Sequence, residues 1–232
     1  IHNIKDTNAK LIYTTPSNQY PLGIKMSKKR RKELLNWANR NNSLIIEDDY
    51  DHEFSNWEKP IPSLYSLDKE NRVIYQGTFN KLLHPSLRMG YVILPKYLLN
   101  PVKSMYEQSS RFVPLSNQMI LNNFITKDFL TKHIRNVITT SKDRKTLFQE
   151  QTKSFLKVHK NFNGLHIIGQ IKSKIDDKIL CKELLHNNVV AFPLSNYYIT
   201  KQQKQGFVMG YSSVNSKMIR EKTAIMKSIL KK

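Results

Sequence analysis

The sequence predicts an α/β fold with a smaller α+β lobe behind it. Up to Pro95, short and nearly continuous apolar runs alternate with a helix-period pattern, which is how buried strands of a parallel layer read when helices cover them. After Asn100 the pattern turns helical for about sixty residues, and a second set of short strands and helices follows.

The elements are expected in this order. "LIYTT" (Leu11–Thr15) is an apolar strand. "KMSKKRRKELLNWANRN" (Lys25–Asn41) is a helix with Leu34, Leu35 and Ala38 on one side. "SLIIEDDY", "RVIYQGTF" and "RMGYVILP" are further buried strands. Helix is expected through about Lys160, then the strand region "GLHIIGQIKSK", the helix "DDKILCKELLHNN", the strand "VVAFP", a tyrosine-rich loop, the strand "FVMGYSSV" and a closing helix from Ser216 to Lys231. No internal repeat or low-complexity tract interrupts this order. Trp37 and Trp57 read as core or interface anchors.

The 232 residues, 39% of them hydrophobic, suffice for a real core. Cys181 is the one cysteine, which excludes a disulfide framework and a cysteine-based metal site. No apolar run approaches the ~20 residues that span a bilayer, and "IHNIKDTNAK" has neither the apolar core of a signal peptide nor an initiator methionine. A cytoplasmic chain cut from something longer is the expectation. The formal charge of +20 suggests a polyanionic partner. Lys127–Lys160 holds nine basic and three acidic residues, yet such a helical face ordinarily serves solvation, so salt-sensitive, nonspecific contact with DNA is expected and not sequence-specific recognition.

Chemistry concentrates in two stretches. In "SLIIEDDYDHEF" residues alternate faces along the strand, so Asp48 and Tyr50 share a side. Lys81 lies between the third and fourth apolar runs, with Thr78 and Asn80 before it and Arg88 after it. Ligands of open α/β sheets sit at the carboxyl ends of strands, so a carboxylate, a phenol and an amine are expected to converge there. The alternative is that Glu47, Asp49, Asp51 and Glu53 form a solvated acidic loop offsetting the basic surface. His52 has no second histidine at helical spacing, and "DDYDHE" lacks the glycine of a calcium loop, so no metal is expected. Walker, GxGxxG and GxSxG motifs are absent.

"TPSNQYPLG" (Thr15–Gly23), "IIEDDYDHEF" (Ile45–Phe54), "YQGTFNKLLHPSLRMGY" (Tyr75–Tyr91), "HIR" (His133–Arg135), "GLH" (Gly164–His166), "FPLSNYY" (Phe192–Tyr198) and "FVMGYSSV" stand in the order and spacing of a known family. Together they resemble the aminotransferase-like domain of MocR-type regulators in the GntR superfamily. The resemblance implies a fold type I domain dependent on pyridoxal 5′-phosphate (PLP). Its large lobe, incomplete here, would take residues 1–125, and a long connecting helix with the small domain would take 126–232. It implies Lys81 as the Schiff-base lysine, Asp48 as partner of the pyridine nitrogen and Tyr50 as partner of the ring's 3′-oxygen. Thr78, Asn80 and Arg88 would hold the phosphate, and Gln19 would be the polar contact of the "QYPLG" loop. A homodimer, an amine or amino-acid effector and DNA bound through a preceding helix-turn-helix domain are implied as partners.

The chain departs from that family pattern in informative places. Asn80 stands for a serine and Asn18 for a histidine, and Val208 occupies the frame of the arginine that grips a substrate carboxylate in true aminotransferases. His166 reads as a hydrogen-bonded structural histidine, and Tyr197 and Tyr198 as lobe packing. Three functions follow: an effector-sensing PLP domain of a regulator, which these departures favour; an amino-acid aminotransferase; or a truncated remnant that binds nothing well.

Overall fold

The computed structural model describes residues 4, 6–54, 61–109, 112–158, 164–171, 175–199 and 204–231. Trp57 lies outside them. The chain divides into two compact units: residues 1–20 with 24–134, and residues 21–23 with 135–232.

The first unit holds a four-stranded sheet ordered β1 (Leu11–Thr14), β2 (Leu44–Asp49), β3 (Val73–Thr78) and β4 (Gly90–Ile93). The first three strands are parallel, as their apolar runs imply. β4 is antiparallel to β3 and its four residues are all exposed, so the expectation of a buried strand fails there. Its sequence is apolar, but no described element covers it. Helix α1 (Lys28–Arg40) starts three residues later than the apolar pattern suggests, because Ser27 caps it by accepting the Arg30 N–H. α1 lays Leu34, Leu35, Trp37 and Ala38 against Ile45 of β2 and Val73 of β3, and this cluster is the unit's core. A short helix, α2 (Leu64–Leu67), not foreseen from the sequence, seals it with Leu64.

The expected long helix is three helices: α3 (Leu99–Gln108), α4 (Leu115–Thr126) and α5 (Phe129–Thr152). Pro114 immediately precedes α4 and cannot continue a preceding helix, while Asp128, at φ 58°, breaks α4 from α5. α3 and α4 bury no residue. Beside them lies a cavity of 660 Å³ lined by Phe79, Met89, Tyr106, Val113, Met119 and Ile125, among others.

The second unit carries an antiparallel sheet ordered β5 (Lys157–Val158), β6 (His166–Gln170), β8 (Gly206–Gly210) and β7 (Phe192–Pro193). β5 falls where helix was expected, since α5 ends at Thr152. Helices α6 (Asp177–His186) and α7 (Ser216–Leu230) contribute Leu180, Leu184, Ile219, Met226 and Ile229 to a core shared with Ile167, Ile168, Phe207 and Met209 of the sheet. Among the described residues, no helix is long and apolar enough to cross a membrane.

Candidate functional site

The three parallel strands end at one rim of the first sheet, and the predicted residues gather there. β2 alternates: Glu47 and Asp49 are buried, while Asp48 remains partly open to solvent on the opposite face. Tyr13, near the end of β1, donates its hydroxyl to Asp48 Oδ2. Burial and that carboxylate push the Tyr13 phenol up to about 12. Tyr50, just past β2, donates to the Asn18 carbonyl at 2.7 Å.

Lys81 follows β3 and its Nζ lies 4.0 Å from the centroid of the Tyr50 ring. The residue is solvent-exposed as a whole, yet desolvation by the surrounding crevice lowers its amine below the ordinary lysine value, with Asp51 and then Asp48 pulling it partly back. Carboxylate, phenol and amine therefore meet as expected, with the amine shifted toward its nucleophilic, neutral form.

Thr78 donates its hydroxyl to the Met89 carbonyl at 3.2 Å and accepts the Asn80 N–H at 3.2 Å. Asn80 Oδ1 accepts the Met89 N–H at 3.1 Å, which leaves its amide NH₂ as its donor. These bonds fold Lys81 into a closed turn between β3 and β4. Arg88 sits at φ 50° and is exposed, so its backbone is held unusually while its side chain is open to solvent. Gln19 is exposed and turns its amide back to the Tyr20 carbonyl at 2.5 Å. Its neighbour Asn18 is the loop residue that enters the site.

The acids beside Asp48 are not a solvated loop. Glu47, Asp49 and Asp51 are 0%, 6% and 1% exposed. Glu47 accepts the Leu64 and Tyr65 N–H groups and pairs with Arg31. Asp49 accepts the Tyr75 hydroxyl at 2.9 Å. Asp51 accepts the Asn18 amide at 2.5 Å. Sequence reasoning missed Asn18, Asp51 and Tyr13 as site residues. For Asn18 and Asp51 the available signal was position, since each is adjacent to a predicted site residue; Tyr13 carried none beyond its place near the end of the first apolar strand.

Elsewhere, His133 Nε2 lies 2.8 Å from the Leu82 carbonyl and so braces the residue after Lys81. His166 Nε2 lies 3.0 Å from the Pro21 carbonyl, the hydrogen bond expected of it. Tyr198 packs on the second unit's core, whereas Tyr197 is exposed. Val208 is buried in that core. No group of three or more His, Cys, Asp or Glu side chains among the described residues is arranged to hold a metal ion.

A test of fit for PLP rests on the orphaned polar atoms. Among the described residues, Asn18 Oδ1, Asp49 Oδ1 and Asp51 Oδ1 are buried without a hydrogen-bond partner, which marks a polar cluster whose bonding these residues leave incomplete. An amine with lowered basicity, a carboxylate on the open face of β2 and two donors unengaged among the described residues, Arg88 and the Asn80 amide, fit an aldehyde, a pyridine nitrogen and a phosphate respectively.

No family model matches the chain. It is 36% identical over 217 residues to the HTH-type transcriptional regulator YhdI of Bacillus subtilis, an alignment of 92% of this chain and 46% of the relative. It is 32% identical over 216 residues to the probable rhizopine catabolism regulatory protein MocR of Rhizobium meliloti, covering 91% of this chain and 44% of that one. The chain thus spans about half the length of the curated relatives it matches. Kynurenine aminotransferase of Pyrococcus horikoshii, solved in complex with PMP, superposes with a TM-score of 0.83 at 26% identity over 96% of this chain and 56% of that one. By sequence and by fold, the chain belongs with the aminotransferase-like regions of MocR-type regulators in the GntR superfamily.

Proposed function

We propose that the chain is a PLP-binding, effector-sensing domain of such a regulator. The observation that carries this reading is Lys81, an amine of lowered basicity resting on the Tyr50 ring in the crevice that also holds Asp48. When bound, PLP supplies an aldehyde for amines and a ring that withdraws electrons. Lys81 offers the nucleophilic amine, Asp48 a negative charge for a ring proton, Tyr50 a phenol, and Asn80 with Arg88 donors for a phosphate. A bound amine effector would act by biasing domain arrangement, and the DNA would be read by a helix-turn-helix domain elsewhere in the protein.

Aminotransferase turnover is the second reading, and Val208 weighs against it. An apolar, buried side chain cannot hold a substrate carboxylate in the geometry proton abstraction needs, and that alignment is worth several kcal/mol of barrier. Turnover of a common amino acid with a keto acid is expected to be negligible. The test of binding is direct: add PLP, reduce with borohydride and map the label. One labelled peptide containing Lys81, lost in Lys81→Ala, is the expected result. Label spread over many lysines overturns the assignment.

A further inference from the structure

Asn18 touches both residues that follow β2. Its side-chain Nδ2 donates to Asp51 Oδ2 at 2.5 Å, and its backbone carbonyl accepts the Tyr50 hydroxyl at 2.7 Å. Tyr50 in turn lies under the Lys81 amine, 4.0 Å from centroid to Nζ. Asn18 is 2% exposed and Asp51 1%, and Asn18 Oδ1 and Asp51 Oδ1 are buried without a partner among the described residues. A buried carboxylate left half-satisfied costs stability, so a structural role alone is a poor account of this pair. An apolar pair of similar size would fill the same space without that cost.

We propose that Asn18 and Asp51 are positioning residues for Lys81: Asp51 supplies the fixed negative charge acting on the amine, and Asn18 locks Asp51 and Tyr50 into one unit. Neither residue is among those that the family resemblance assigns to the cofactor. The proposal deepens the reading of Lys81 as the cofactor lysine and rests on it for its purpose, but the charge coupling stands independently.

The electrostatics agree with the geometry. Burial raises the Asp51 carboxyl to about 6, while the Asn18 bond and then Lys81 pull it down and Asp49 and Glu53 push it up. Desolvation lowers Lys81, and the acids that oppose this are Asp51 first and Asp48 second. Tyr50 is raised by burial and by Asp51, Asp48, Tyr20 and Tyr13. His52, beside Asp51, is turned to Asp49 and Glu53, at 3.7 and 3.6 Å. Asp51 is therefore the acid with the largest hold on Lys81. Because it titrates near 6, its charge is present at neutral pH and lost on mild acidification.

The experiment uses the whole chain without PLP. A small acylating reagent is applied from pH 6 to 10, and modification at Lys81 is read by mass spectrometry of its peptide. In Asp51→Asn the midpoint of the rate profile should fall, with the rate at pH 8 rising roughly tenfold for each unit of that fall. Asn18→Ala should move it the same way by less, since Asp51 keeps its charge in that range but loses the bond that fixes it in place. The double variant should add nothing beyond Asp51→Asn. Asp51→Glu should restore much of the wild-type profile. An unchanged Lys81 midpoint in folded Asp51→Asn, or in Asn18→Ala should the former not fold, overturns the proposal. A shifted midpoint in a chain that takes up no PLP supports the coupling while refuting the cofactor reading, so the two failures are distinguishable.

Discussion

Replacing Arg31 with methionine should destabilise the first unit by about 4 kcal/mol at pH 7. Arg31 is 1% exposed, and its guanidinium donates to the Pro16 carbonyl at 2.9 Å, to Pro62 at 3.1 Å, to Met26 at 3.1 Å and to Glu47 at 3.4 Å. Breaking a buried pair by removing one partner costs about 3–5 kcal/mol, because the other charge stays behind. Glu47 would keep its two N–H donors, Leu64 and Tyr65, each at 2.8 Å, which holds the loss near the middle of that range. Three carbonyls would also lose a charged donor, though water entering the vacated space offsets part of this.

The sign of the pH dependence follows from Glu47. Burial already raises its carboxyl above the ordinary value, and Arg31 is among the groups that lower it. Without Arg31 the folded-state pKa rises further. A carboxyl raised in the folded state binds its proton more tightly there than in the unfolded chain. Stability is then greatest below the unfolded value of about 4.3 and falls as pH rises toward the folded one. Urea unfolding followed by the fluorescence of Trp37, buried in α1 itself, should show a loss that is smaller at pH 5 than at pH 8. Adding Glu47→Gln should recover about 1–2 kcal/mol by removing the stranded charge while keeping one acceptor. A loss under about 1 kcal/mol at pH 7, or one that is the same at both pH values, would refute the reasoning.

Other perturbations separate the roles of neighbouring residues. Asp48→Ala should alter the pH-dependent spectrum of added PLP and leave stability nearly unchanged. Asp49→Ala, on the buried face, should remove the carboxylate acceptor of the Tyr75 hydroxyl and cost about 1–3 kcal/mol in a urea melt without moving the spectrum. Gly90→Ala would set a Cβ 2.8 Å from the Gly77 carbonyl oxygen, a backbone atom, and should lower the melting temperature more than Gly77→Ala, whose 2.5 Å clash is with the tip of the Tyr91 ring, which can swing away. DNA retained on the chain should elute steeply with salt and show no preference for sequence, since the +20 charge is spread over the whole chain. Salt-resistant retention of one sequence over a scrambled one would contradict this.

The parallel strands and their helix were legible because each obeys a simple period: "LIIEDD" alternates buried and partly open residues as a strand must, and Leu34, Leu35 and Ala38 recur at helical spacing against it. The direction and exposure of β4 were not legible, because an apolar run records the need for cover and says nothing of whether a described neighbour supplies it. The break at Asp128 was hidden for a related reason. Aspartate at positive φ leaves no mark in hydrophobic periodicity, and only Pro114 announced a boundary in that stretch.

Site legibility divides along the same line. Asp48, Tyr50 and Lys81 were found because β-alternation and the position of a lone lysine after a strand place them at the sheet's rim before any contact is known. The alternative of a solvated loop stayed open for the neighbouring acids because composition treats "EDDYDHEF" as one charge run. The fold instead gives each acid its own desolvating environment: Arg31 and two N–H groups for Glu47, Tyr75 for Asp49, Asn18 for Asp51. Those partners lie between 16 and 33 residues away in the chain, at separations that no local pattern encodes. A run of acids directly after a buried strand is therefore better read residue by residue, by strand face. Those on the inward face must find a partner or a proton, and one that half-finds it, as Asp51 does, is where a site can draw a fixed charge.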